Sequence, residues 1–200
     1  MKLLYVLVFL TCFTQCTNFD EYELRYAANI AVAGKPSVEI QQIAKKYELQ
    51  PKNWRIAYYY KEILGKWKYK TDTLDKVETS KNTLRKANLE GDCEDMAALL
   101  WAYCRVNKIP AVVVLGDDKH KAHVWLEVLV VFNYKKKPND EIRRELRYFD
   151  TKTSTLVEHN GNLWVALNST PTISSFTNCY YIDTTGVLYE QPYKIIDKLN

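Results

Sequence analysis

What the chain lacks narrows it before any motif is read. No internal repeat or low-complexity segment is present, so a repeat array is excluded. No charge of one sign dominates: 28 basic residues face 24 acidic ones, for a formal net charge of +4. The basic residues are dispersed except for Lys135-Lys136-Lys137, which runs into Pro138-Asn139-Asp140 and reads as a solvated loop, so no nucleic-acid partner is expected. No disulfide framework is visible among the five cysteines. An EF-hand loop is absent, and no apolar run reaches the length of a membrane span. What remains is globular: 47% apolar, 26% charged and 200 residues long, enough for one domain with a real core. Fifteen tyrosines serve as amphipathic fillers of core and surface.

The apolar run that does exist is terminal. Lys2 is followed by Leu3-Leu4-Tyr5-Val6-Leu7-Val8-Phe9-Leu10, with no further charge until Asp20. A basic start and a short apolar stretch predict a secretory signal peptide over residues 1–16, with residues 17–200 as a single domain. Thr14 and Cys16 supply small residues for cleavage after Cys16; alternatively Cys16 is itself the lipid-bearing first residue of a lipoprotein, although Gln15 is large for that signal. The protein is therefore expected to be exported: periplasmic, extracellular or membrane-anchored. Its only membrane contact would be the signal peptide or a lipid on Cys16, and a monomer is expected. Cys93, Cys104 and Cys179 remain in the mature chain. Cys104 reads as a buried small hydrophobe, and Cys179 either pairs with it or stays free.

Helical patterns come first. They cover residues 19–33, 37–47 with Ser37 as cap, and 51–64 closed by Gly65. Residues 66–90 read as a loop and then a short helix entering at Thr83-Leu84. Asp92 caps the next helix with Asp95 in a capping-box position; Met96, Leu99, Leu100, Tyr103 and Cys104 recur at helical spacing through Val106, and Asn107 supplies a left-handed cap before Pro110. The period then changes to that of strands: residues 111–115, a turn at Gly116-Asp117-Asp118, residues 122–132, residues 146–149, and residues 163–167 after an Asn160-Gly161 hairpin. Helices before strands predict an α+β fold with a mostly antiparallel sheet.

Three residues on different elements carry the chemistry. Cys93 stands at the first turn of a helix, where unpaired N–H groups and the helix dipole favour a thiolate. Gly91 permits a sharp turn or close backbone approach just before it. Asp92, Glu94 and Asp95 oppose the thiolate electrostatically; Asp92 and Asp95 are assigned to capping and Glu94 to solvent. His123 lies in Ala122-His123-Val124-Trp125-Leu126-Glu127-Val128, where alternation puts His123, Trp125 and Glu127 on one face and the apolar residues on the other. His123 is thus the expected base, and Trp125 the wall of its site. His120, in a charged turn, and His159, beside Asn160-Gly161, are less suited. Asp150 closes the strand expected over residues 146–149, as the carboxylate that orients the imidazole. Cys, His and Asp in this order are the parts of an activated thiol nucleophile.

The sequence Gly91-Asp92-Cys93-Glu94-Asp95-Met96-Ala97-Ala98-Leu99-Leu100 resembles the nucleophile motif of the transglutaminase-like superfamily. Ile109-Pro110-Ala111-Val112-Val113-Val114 is similar to its next strand, His123-Val124-Trp125-Leu126-Glu127-Val128 to its histidine strand, and Tyr148-Phe149-Asp150-Thr151 to its aspartate segment. The likeness covers roughly residues 80–155. It implies a papain-like core, a cysteine helix packed on an antiparallel sheet, and thiol acyl chemistry on a protein or peptide substrate, with hydrolysis favoured. Protein crosslinking by acyl transfer, or a non-catalytic peptide- or glycan-binding module, are the alternatives. Lys108 stands where the family commonly has glycine, and Val124 where it often has alanine. The backbone N–H of Cys93 is one expected oxyanion donor. In some members a tryptophan supplies another, a role open here to Trp67 or Trp54, both of which also read as packing residues. No cofactor or metal is required. Some bacterial relatives depend on calcium, which would draw on Asp92, Glu94 and Asp95, but capping is the favoured role for these.

Overall fold

The computed structural model describes residue 19 and residues 21–71, 77–86, 89–118, 121–149, 154–167, 178–183, 185–190 and 194–196. The expected signal segment, His120 and Asp150 lie outside these residues. Three helices lead: α1 (Glu21–Ala33), α2 (Val38–Lys46) and α3 (Lys52–Leu64). Ser37 caps α2 as expected, its hydroxyl accepting from the Ile40 N–H at 3.3 Å. Pro51 precedes α3, where its missing N–H removes no helical bond. A short strand β1 (Lys68–Tyr69), helix α4 (Ser80–Arg85) and strand β2 (Glu90–Gly91) then lead into α5 (Cys93–Val106). β1 and β2 pair in parallel, with Tyr69 opposite Gly91. That pair was not legible in the polar run from 66 to 90.

Every residue of α5 from Cys93 to Cys104 is buried. A helix apolar nearly all round must be enclosed on all sides. Helices α1 to α4 pack against α5 on one side and the sheet against the other. The sheet has seven strands: β3 (Ala111–Asp118), β4 (Lys121–Val131), β5 (Ser154–His159), β6 (Asn162–Leu167), β7 (Asn178–Ile182), β8 (Leu188–Glu190) and β9 (Lys194–Ile195). Their spatial order is β8-β7-β3-β4-β6-β5-β9, and every neighbouring pair is antiparallel. The α+β expectation holds.

Alternation splits the sheet into two faces. Val113, Leu115, Val124, Leu126 and Val128 join the cluster around α5. Val114, Trp125, Val157, Ala166, Cys179 and Tyr181 form a second cluster on the far face. Cys93, Cys104 and Cys179 are free and buried. Among the described residues no helix is long and apolar enough to cross a membrane.

Local readings are corrected at four places. Residues 146–149 are not a strand: α6 (Asn139–Leu146) ends there and a turn follows. Pro138 precedes this helix, Asp140 and Glu141 sit in its first turn, and Arg143 and Arg144 in its last, which suits its dipole. Leu146, Tyr148 and the buried Phe149 gave the apolar spacing that mimicked a strand. Gly116-Asp117-Asp118 continues β3 instead of turning, paired with His123, Ala122 and Lys121. Asn107 keeps φ −84°, and Lys108 itself takes the left-handed conformation, with φ 53°. Asp92 occupies the N-cap position of α5 without a side-chain cap hydrogen bond. The hairpin at Asn160-Gly161 forms as expected, with φ 54° and 69° joining β5 to β6.

Candidate active site

Two structural facts fix the position of Cys93. Gly91 and Asp92 deliver it from β2 into the first turn of α5. A Cβ on Gly91 would sit 2.3 Å from Asp95 Oδ2, so only glycine lets the chain pass this close to the helix it starts. On the opposite side, the Cys93 thiol lies against the backbone N–H of Val124, the residue after His123. β6 begins to pair with β4 only at Leu126, opposite Leu167. The start of α5 meets β4 at Val124, just beyond the last described β4–β6 pair. His123 is buried; its cross-strand partner is Gly116, which offers no side chain beside the imidazole. The structure thus brings the cysteine element to the histidine segment. Asp150 follows the turn after α6 and lies outside the described residues.

The electrostatics reverse the simplest expectation for the thiol. Burial, followed by the negative charges of Glu94 and Asp92, pushes the Cys93 thiol up to about 12; the Val124 N–H pulls the other way. Helix-terminal stabilisation of a thiolate is outweighed here. The Cys93 Sγ lies 3.5 Å from Glu94 Oε2, to which it donates. Glu94, expected in solvent, is buried. Burial, then Asp92, raises its carboxyl to about 7, while the Tyr26 hydroxyl donates to it from α1. Asp95 does not close a capping box. Its Oδ1 accepts from the Glu78 N–H at 2.7 Å and its Oδ2 lies 3.9 Å from Lys86 Nζ, while burial raises it to about 6.

Glu94 and Asp95 thus serve different partners. Among the described residues, no cluster of three or more His, Cys, Asp or Glu is placed to hold a metal ion.

β1 places one group beside the thiol. The Tyr69 hydroxyl lies within hydrogen-bond reach of Cys93, and burial, then the Cys93 and Asp92 charges, push it up to about 12. Trp67 precedes it by two residues; its indole N–H is buried and has no hydrogen-bond partner among the described residues. A buried unpaired donor is costly. Trp54 Nε1 shares that state; its ring is tilted against Tyr148 at 3.9 Å, in an aromatic cluster with Tyr58 and Arg147. Trp125, expected to wall the site, is 1% exposed, and its indole N–H donates to Glu127 Oε1 at 2.9 Å.

Tyr69, Tyr26 and the buried state of Glu94 escaped the sequence reading. The alternation Trp67-Lys68-Tyr69 was the only available signal for Tyr69, too short to distinguish from loop.

Comparisons with known proteins bear on this arrangement. The model of the transglutaminase-like superfamily matches residues 41–168, which include the whole of α5, β3 and β4. No curated protein matches the chain. A solved structure from Cytophaga hutchinsonii, named as a candidate cysteine protease, is similar at 14% identity and a TM-score of 0.41. The match covers 92% of this chain and 59% of that one, so this chain spans about three fifths of its length. The match of the family model over well over half of the sequence, on a fold that sets a cysteine-bearing helix start against a histidine-bearing strand, shows that the chain belongs to the transglutaminase-like superfamily.

Proposed function

We propose that the protein is an exported thiol hydrolase that cleaves peptide or side-chain amides through Cys93, His123 and Asp150. The observation that carries this reading is the position of Cys93: first turn of a buried helix, against the backbone N–H of Val124 on the strand that bears His123. Superfamily membership supports thiol acyl chemistry at the coarse level.

The reaction begins from the neutral thiol. Cys93 Sγ attacks the amide carbonyl carbon while its proton passes to the His123 imidazole, so His123 acts as a general base in the attack. The carbonyl oxygen gathers negative charge and is met by the Cys93 backbone N–H and the unpartnered Trp67 indole N–H. The C–N bond then breaks, and His123 returns the proton to the leaving amine. Water, deprotonated by His123, attacks the thioester carbon and releases the acid and the Cys93 thiol. Asp150 stabilises the imidazolium formed in both halves. The apolar run after Lys2 supports the exported part of this reading.

The test is turnover of peptide and glutamine-amide substrates by the wild-type protein, Cys93→Ala and His123→Ala, with and without an added primary amine. Acid product that disappears in both variants supports the hydrolase. Amine incorporation in place of acid would convert the reading to acyl transfer. Binding that survives Cys93→Ala, with no turnover by the wild-type protein, would replace it with a binding module.

A further inference from the structure

The far face of the sheet carries a buried polar chain that the proposed reaction does not use. Glu127 is 0% exposed, yet it is an acidic residue in the middle of a central strand. Its Oε1 accepts from the Trp125 indole N–H at 2.9 Å, and its Oε2 lies 3.0 Å from His159 Nε2. His159 is buried too, stacked on Trp164 at 4.2 Å and tilted against Tyr181 at 5.1 Å. Ala166, cross-strand from Glu127, presents only a methyl group. At the other end, the Trp125 ring lies 5.9 Å from the His123 ring, at 29° between planes. His123, Trp125 and Glu127 follow one another on the same face of β4.

Stability alone does not account for this arrangement. Burying a carboxylate and an imidazole costs several kcal/mol per ion before they attract each other, and an apolar replacement of similar volume is often no worse. Glu127 does something an apolar residue cannot. It accepts from the indole and so fixes the rotation of Trp125 about its side-chain bonds. His159, clamped between two aromatic rings, fixes the Glu127 carboxylate in turn. A tryptophan held this way is a rigid flank for the imidazole beside it.

We propose that Glu127 and His159 are positioning residues for His123, acting through the indole of Trp125. The inference rests on the role of His123 proposed above. Its test reads the imidazole directly, so failure of that role and failure of the support are separate results.

In the full chain with labelled histidines, the ring resonances and titration of His123 are followed by NMR, alongside kcat and KM on the amide substrate. Glu127→Leu removes the acceptor, Glu127→Gln keeps one, and Trp125→Phe keeps a ring but removes the donor. The expected result is that Leu and Phe variants shift the His123 titration and lower kcat by roughly tenfold to a hundredfold with KM little changed. Glu127→Gln is expected to restore both toward wild type. Should Glu127→Leu fail to fold, Trp125→Phe carries the test alone. An unmoved His123 titration in folded Trp125→Phe overturns the proposal, as does a Glu127→Gln variant as disturbed as Glu127→Leu. A shifted titration without turnover in any form would uphold the support and sink the proposed reaction.

Discussion

The Cys93 sulfur lies 3.5 Å from Glu94 Oε2, and both side chains are buried. The thiol therefore donates toward its neighbour in sequence. A negative carboxylate at this distance opposes a thiolate, which makes Glu94 a restraint on resting reactivity.

Alkylation kinetics follow from that contact. The wild-type thiol, pushed up to about 12, is expected to react slowly with iodoacetamide at pH 7, with a rate that rises through pH 9 without a plateau near neutrality. Glu94→Gln removes the charge and lowers the thiol, so alkylation at pH 8 should accelerate by about tenfold. An early plateau in the wild-type profile would mean a preformed thiolate and contradict this.

Stability should carry the same signature with a definite sign. The Glu94 carboxyl is raised from 4.5 to about 7 in the folded state. A raised acid holds its proton more tightly when folded, so its stabilisation is complete below pH 4.5 and lost as pH rises through 7. Relative to Glu94→Gln, the wild-type protein should lose stability across that window, by roughly 3 kcal/mol. Urea unfolding of both proteins at pH 4.5 and pH 8 checks it; a difference that grows in the opposite direction refutes it.

Lys108 holds φ 53° at the turn between α5 and β3. A side chain there costs about 1 kcal/mol relative to glycine. Lys108→Gly should raise the urea midpoint accordingly, with no change in the slope of the transition.

Gly91→Ala should do the reverse. Its Cβ would meet Asp95 Oδ2 at 2.3 Å and Asp95 Cβ at 2.7 Å, and Asp95 is tied to the Glu78 N–H. A loss of about 1–3 kcal/mol is expected, together with slower turnover as the start of α5 shifts. Thermal unfolding of the variant measures the first, and steady-state kinetics the second.

The sequence was most readable where one period ran long. Met96, Leu99, Leu100 and Tyr103 mark α5, and the alternation from Ala122 to Val128 marks β4 with the correct residues on each face. It misled where elements are short: Leu146, Tyr148 and Phe149 fit the end of a helix and its turn as well as a short strand, and only packing decides. Residues whose meaning is tertiary were not legible at all. His159 looked like a hairpin residue because its partner Glu127 lies 32 positions away on another strand. Glu94 looked solvated because nothing local shows that Tyr26 of α1 covers it. Lys108 was noted as a departure from glycine, but the strain was assigned one residue too early, to Asn107.

The central claim is that Cys93 is a nucleophile deprotonated by His123. Intact-mass and peptide-mapping spectrometry after incubation with an activated acyl ester tests it most directly. The account predicts one acyl group, on Cys93, formed by the wild-type protein and slowed at least about a hundredfold in His123→Ala, with buried Cys104 and Cys179 unmodified. Equal acylation in wild type and His123→Ala, or label distributed over all three thiols, would contradict it.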